Sequence, residues 1–139
     1  MTSQDYNILG IDYGDARVGL ALAHNIARLP QPYGTLANNE QLLQTITQIV
    51  HAENIQRIVL GLPVTQSGGE SEQTQKVRQF CNLLQKHLRV SVDLIDESYT
   101  SVEVEESLGT RVIAKGEIDA RAAAAILDRY FLEHRGARI

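Results

Sequence analysis

The run from Ile55 to Leu62 constrains this chain more than any other stretch. It is short and almost wholly apolar, broken only by Gln56, Arg57 and Gly61, as expected of a central β-strand covered on both faces. Helical patterns flank it. Before it, Leu42, Leu43, Ile46, Ile49 and Val50 recur at helical spacing. After it, Val77, Phe80, Cys81, Leu84 and Leu88 do the same at i, i+3, i+4, i+7 and i+11. Cys81 falls on that stripe and reads as core. Helices alternating with apolar strands predict an α/β domain.

The remaining segments complete the sheet. Ile8 to Gly14 and Arg17 to Ala23 are two apolar runs meeting at a turn of Asp, Gly and Asp, which predicts a β-hairpin with Asp12 at the end of its first strand. The stretch from Leu29 to Leu36 carries two prolines and suits an edge strand. Asn38 or Asn39 is placed to cap the first helix, which ends near Glu53 and Asn54. Gly61-Leu62-Pro63 closes the apolar strand, and Gln66-Ser67-Gly68-Gly69 predicts a flexible loop. Val90, Val92 and Leu94 alternate with polar residues in a last strand ending at Asp96-Glu97. Thr100 to Glu103 has capping-box spacing for a short helix to Leu108 stopped by Gly109. The residues from Thr110 to Ile118 read as a loop, and Asp119 as the start of a final helix. In that helix Ala122 to Ala125 permit a close approach to the sheet, and the tail from His134 is expected to fray. The expected architecture is a five-stranded mixed sheet with helices on both faces, in one domain over residues 1–139.

Composition narrows the class without naming an activity. A chain of 139 residues with 43% hydrophobic and 22% charged residues can bury a core unaided. One cysteine allows no internal disulfide, and no Cys/His spacing suggests zinc. With no apolar run of membrane length, the expectation is a soluble, cytoplasmic chain. A net charge of −4 argues mildly against electrostatic coating of nucleic acid. It leaves room for an enzyme whose divalent cations supply the positive charge.

Right-handed crossovers make the strands ending at Asp12, Pro63 and Glu97 parallel, so their carboxyl ends share the edge at which open α/β sheets bind ligands. Asp12 and the pair Asp96-Glu97 thus converge, and Asp119 can reach them from the covering helix. Such carboxylates repel one another unless cations sit among them. Oxygen ligands favour Mg²⁺ or Mn²⁺, and a pair of such ions about 4 Å apart stabilises the attacking and leaving oxygens of phosphodiester hydrolysis. Plainer readings exist for each residue: an N-cap for Asp119, a turn residue for Asp12, a solvated strand end for Asp96 and Glu97.

Taken together, the motifs resemble the YqgF/RuvX family. They are Gly10-Ile11-Asp12-Tyr13-Gly14 with Arg17-Val18-Gly19-Leu20-Ala21, Val59-Leu60-Gly61-Leu62-Pro63, Asp96-Glu97 with Thr100, and Lys115-Gly116-Glu117-Ile118-Asp119 with Ala122-Ala123. The resemblance follows motif order and spacing over nearly the whole chain. It implies a bacterial, ribonuclease H-like nuclease that matures the 5′ end of pre-16S ribosomal RNA in precursor particles, or a resolvase of four-way DNA junctions. It further implies Asp12, Glu97 and Asp119 as catalytic, metal-binding carboxylates with Asp96 auxiliary. Arg17 and Lys115 would meet substrate phosphates, and the Gly68-Gly69 loop would admit a nucleic-acid backbone. The chain departs from the family pattern at Ala16, at Ala23-His24 and at Ser98.

Two other readings stay open at this point. An Asp-x-Gly turn between strands also cradles phosphate in actin-like ATPases and sugar kinases, although those need a duplicated domain. A binding module for RNA or protein without catalysis is the other. Oligomeric state is open too, since a junction resolvase needs two sites, hence a homodimer, and an RNA-processing nuclease can act as a monomer.

Overall fold

The computed structural model describes residues 5–65, 67–97 and 115–139, with only the helical backbone for 115–117. The strands are β1 (Asn7–Tyr13), β2 (Arg17–His24), β3 (Gln31–Ala37), β4 (Ile55–Pro63) and β5 (Ser91–Glu97). The helices are α1 (Leu42–Ala52), α2 (Glu72–His87) and α3 (Lys115–Glu133). The sheet order is β3-β2-β1-β4-β5. β1, β2 and β3 pair antiparallel, whereas β4 lies parallel to β1 and β5 parallel to β4. This is the expected mixed sheet, with β3, which holds Pro32 and follows Pro30, as an edge strand.

Strand alternation divides the core between two faces. Leu9, Ile11, Val18, Leu20, Ile58, Leu60 and Leu62 pack with the apolar stripes of α1 and α2, including the buried Cys81. On the other face Ile8, Ala21, Val59 and Ile95 pack with Ala123, Ile126, Leu127, Tyr130 and Phe131 of α3. Helices therefore cover both faces.

The two faces are built differently. Against α3 the sheet presents Gly10, Gly19 and Gly61, and each lacks a Cβ where the helix needs the room. A Cβ on Gly10 would stand 2.6 Å from Leu127 Cγ, one on Gly61 2.6 Å from Ile126 Cδ1, and one on Gly19 only 1.9 Å from the carbonyl oxygen of Asp119. The alanines of α3, of which Ala122 and Ala123 are fully buried, meet a glycine track on the sheet. Neither half alone would bring backbone this close to backbone.

Several expectations change. The last helix spans Lys115–Glu133 among the described residues, so Asp119 lies within it and does not open it. No proline between Lys115 and Ile118 forbids helix. Residues 115–118 are thus helical rather than loop, while the predicted helix over 100–108 and the segment 110–114 lie outside the described residues. Neither Asn38 nor Asn39 caps α1. Its N-cap is Gln41, without a side-chain bond. Asn39 Oδ1 accepts from the Gln41 amide at 2.9 Å, and Asn38 Nδ2 donates to the Gly14 carbonyl at 2.7 Å. The tail does not fray: Arg28 donates to the carbonyls of His134 and Ala137, and its guanidinium lies over the Phe131 ring. Among the described residues, no helix is long and apolar enough to cross a membrane.

Candidate active site

β1 places Asp12. With Ile8 in the α3-side core and Leu9 and Ile11 in the other, alternation turns Asp12 toward α3 at the carboxyl end of the strand. Its cross-strand partner on β2 is Gly19. Because Gly19 has no side chain, the backbone of Asp119 rests directly on it. Two acidic residues far apart in sequence are brought together by one missing methyl group.

The electrostatics follow from that contact. Burial, and then the neighbouring Asp119 carboxylate, push the Asp12 pKa up from 3.8 to about 6. Among the described residues no hydrogen bond or ion pair meets the Asp12 carboxylate. Asp119 is served instead: its Oδ2 accepts from Arg17 Nε at 2.7 Å. Arg17 opens β2, two residues before Gly19, so the same register that seats Asp119 beside Asp12 also brings it to Arg17.

The turn carrying Asp12 and Arg17 is braced from α2 and from the strand-to-helix connection before α1. Gln73 Nε2 donates to the Tyr13 carbonyl at 3.0 Å, and the Tyr13 ring stacks on Phe80 with centroids 4.4 Å apart. Lys76 pairs with Asp15 at 3.0 Å, and Asn38 holds Gly14. α2 is itself anchored to this edge by a capping box between Ser71 and Thr74, whose hydroxyl donates to the Pro63 carbonyl. Sequence spacing missed Gln73, Lys76 and Asn38 as supports, because each acts across elements with no periodic signal.

The other candidates are distributed around the same edge. Glu97, at the end of β5, is 8% exposed and faces α3. Its Cγ is 3.5 Å from where a Cβ of Gly61 would stand, so its side chain leans over β4 toward β1. Asp96 alternates to the opposite face, is exposed, and acts electrostatically on Arg78 of α2. The Gly68-Gly69 loop is a turn closed on Thr65: Thr65 donates to the Gly69 carbonyl, and its own carbonyl and hydroxyl accept from Gly68 and Gly69. Gly68, at φ +84°, needs the left-handed conformation that glycine adopts freely. The Lys115 side chain, Thr100 and Ser98 lie outside the described residues. His24 sits at the far end of β2, where its Nδ1 accepts from the amides of Ile26 and Ala27. It closes its own turn, away from the carboxylates.

The structure thus brings Asp12, Asp119 and Arg17 together, sets Glu97 on the same face, and sends Asp96 to the other. Among the described residues, no group of three or more His, Cys, Asp or Glu side chains is gathered to hold a metal ion. A separate groove of about 670 Å³ runs along β5 between α2 and the end of α3. Beside it, Asp93 accepts from Tyr130 Oη at 2.6 Å and pairs with Arg57 at 2.7 Å.

Comparison with known proteins adds to this geometry. Residues 6–133 match the family described as RuvX, Holliday junction resolvase. A Bordetella pertussis protein named as a pre-16S rRNA nuclease is 33% identical over 125 residues, covering 88% of this chain and 91% of the relative. A Koribacter versatilis protein of the same name is 34% identical over 134 residues, covering 93% and 88%. Among solved structures, Thermus thermophilus RuvC in complex with a Holliday junction substrate superposes with a TM-score of 0.53 over 95% of this chain and 98% of that one. At 13% identity that likeness is one of fold, and the fold is ribonuclease H-like.

Proposed function

The chain belongs to the RuvX family, and on that premise we propose that it hydrolyses phosphodiester bonds at the edge formed by Asp12, Asp119 and Glu97, most specifically in maturing the 5′ end of pre-16S rRNA. The class is that of its relatives, which are nucleases by name. The observation that carries the site is the seat of Asp119 on Gly19, which sets a second carboxylate beside Asp12 at the carboxyl end of β1. Two carboxylates at this edge, one of them half-buried and met by no donor among the described residues, cost free energy that a cation would relieve.

Carboxylate oxygens suit a hard divalent ion, Mg²⁺ or Mn²⁺; Asp12 and Asp119 would hold it, and Glu97, on the same face but not gathered with them in this structure, would have to move in as the third oxygen ligand. When bound, such ions supply an activated water and stabilise charge on the reacting oxygens. The chain's own residues do the rest. Asp12 and Asp119 would present two carboxylates at one edge, because one stands on a central strand and the other on a helix whose backbone rests on the sheet at Gly19. Arg17 and Lys115 are the phosphate contacts. The Gly68-Gly69 turn, where a Cβ on Gly68 would meet nothing within 4 Å, would admit a sugar-phosphate backbone. Asp96, on the far face, is assigned no ligand role.

The test is cleavage of end-labelled structured RNA, single-stranded DNA and a four-way junction in Mn²⁺ and in Mg²⁺, comparing wild type with Asp12→Asn. We expect RNA to be cut fastest and the variant to lose about a thousandfold in rate, equivalent to about 4 kcal/mol of transition-state stabilisation. Fastest cutting of the junction would move the substrate to branched DNA and call for a dimer. Equal cutting by both proteins would remove Asp12 from the chemistry.

A further inference from the structure

We propose that Arg17 is an exchangeable counter-ion: it competes with a divalent cation for Asp119 and, once displaced, serves a phosphate of the substrate, so that cation binding and nucleic-acid binding reinforce each other. The inference rests on the reading of this edge as a metal-dependent nuclease site and adds a coupling to it.

The geometry of the pair points to exchange rather than to a permanent brace. Arg17 meets Asp119 through Nε alone. Among the described residues its two terminal amino groups make no hydrogen bond, so most of the guanidinium's donors remain unspent. The Arg17 side chain is 43% exposed and that of Asp119 22%. An ion pair this open to water contributes at most about 1 kcal/mol, which a divalent cation at the same carboxylate readily exceeds. Contrast the Arg57 pair on the same face, whose carboxylate is also held by Tyr130. Asp119 has no such second donor among the described residues.

A cation on Asp119 and the guanidinium would repel one another. Arg17 opens β2 immediately after the turn, so its side chain can swing outward without disturbing the strand. There the planar fork suits two phosphate oxygens, a geometry that a single contact to Asp119 leaves unused. Linkage then requires reciprocity: whatever factor the cation adds to nucleic-acid affinity, nucleic acid adds to cation affinity.

The experiment measures binding, not turnover. Mn²⁺ affinity is read by electron paramagnetic resonance for wild type and Arg17→Gln. Affinity for a labelled RNA hairpin is read by fluorescence anisotropy in EDTA and in Ca²⁺. We expect Arg17→Gln to bind Mn²⁺ at least about fivefold more tightly than wild type, a gain that a misfolded chain could not show. Ca²⁺ should tighten RNA binding at least about fivefold in wild type and leave the variant unchanged. Equal Mn²⁺ affinities would overturn the exchange and leave the metal site standing. An equal loss of RNA affinity in EDTA and in Ca²⁺ would make Arg17 a standing phosphate contact and also overturn it. If neither protein binds Mn²⁺, the metal site itself falls and the exchange with it.

Discussion

Gly19→Ala tests how the site is assembled without touching any group proposed to react. The added methyl would stand 1.9 Å from the Asp119 carbonyl oxygen and 2.3 Å from its carbonyl carbon. Both are backbone atoms of a helix, so no rotamer change relieves the clash. Real Cβ contacts stop near 3 Å, and the first turns of α3 must therefore rise by about 1 Å. Overpacking of that size costs about 1–3 kcal/mol, which lowers the melting temperature by roughly 3–12 °C. The larger effect falls on chemistry. A 1 Å displacement of Asp119 from Asp12 is expected to reduce turnover about a hundredfold, even at temperatures where the variant is fully folded. The assay pairs thermal unfolding with Mn²⁺-dependent cleavage well below the transition. Gly34→Ala serves as control, since a Cβ there meets nothing within 4 Å. Should Gly19→Ala melt and cleave like wild type, α3 does not rest on β2 at this point. Should it lose activity only in proportion to its unfolded fraction, the link between this contact and the site is wrong.

Two further outcomes follow from the same geometry. Asp12 holds its proton more tightly in the folded chain, at about 6 against 3.8, so the folded state binds more protons and stability falls as pH rises from about 4 through 6. Asn at this position cannot ionise; in EDTA Asp12→Asn should exceed wild type by up to about 3 kcal/mol at pH 7, with the gap closing below pH 4. Urea unfolding at both pH values checks this, and a gap independent of pH would refute it. Tyr130→Phe removes the donor to Asp93 and should cost about 1 kcal/mol in urea unfolding. Because that bond lies along the β5 groove rather than at the Asp12 edge, cleavage should be unchanged; a parallel loss of turnover would join the two regions.

The legibility of the sequence was uneven, for physical reasons. The apolar run of β4 and the helical stripes around it are local patterns, and they determine the sheet because an uncovered apolar strand is too costly to leave in water. Asp12 stood out for a related reason, a charge at the end of an apolar strand. The four alanines announced a close helix contact, yet its other half, the glycine track at Gly10, Gly19 and Gly61, is scattered over three strands and makes sense only once their register is known. The Arg17–Asp119 pair spans 102 residues, and no spacing rule reaches so far. The start of α3 was misplaced because Asp119 is a plausible N-cap by composition, while the residues before it carry no stop signal. The tail was misjudged because its restraint comes from Arg28, whose role depends on a left-handed backbone at φ 56°.

The division of labour between the two faces also bears on when activity can arise. Asp12 lies on a strand made early, and its hairpin partner follows within a few residues. Asp119 comes 102 positions after Arg17, and it reaches Asp12 only when α3 docks on the glycine track. A chain still being synthesised, or cut short before α3, could hold much of the sheet yet lack one carboxylate of the pair. The pair of carboxylates is therefore complete only once the last helix has been made and has docked on the glycine track.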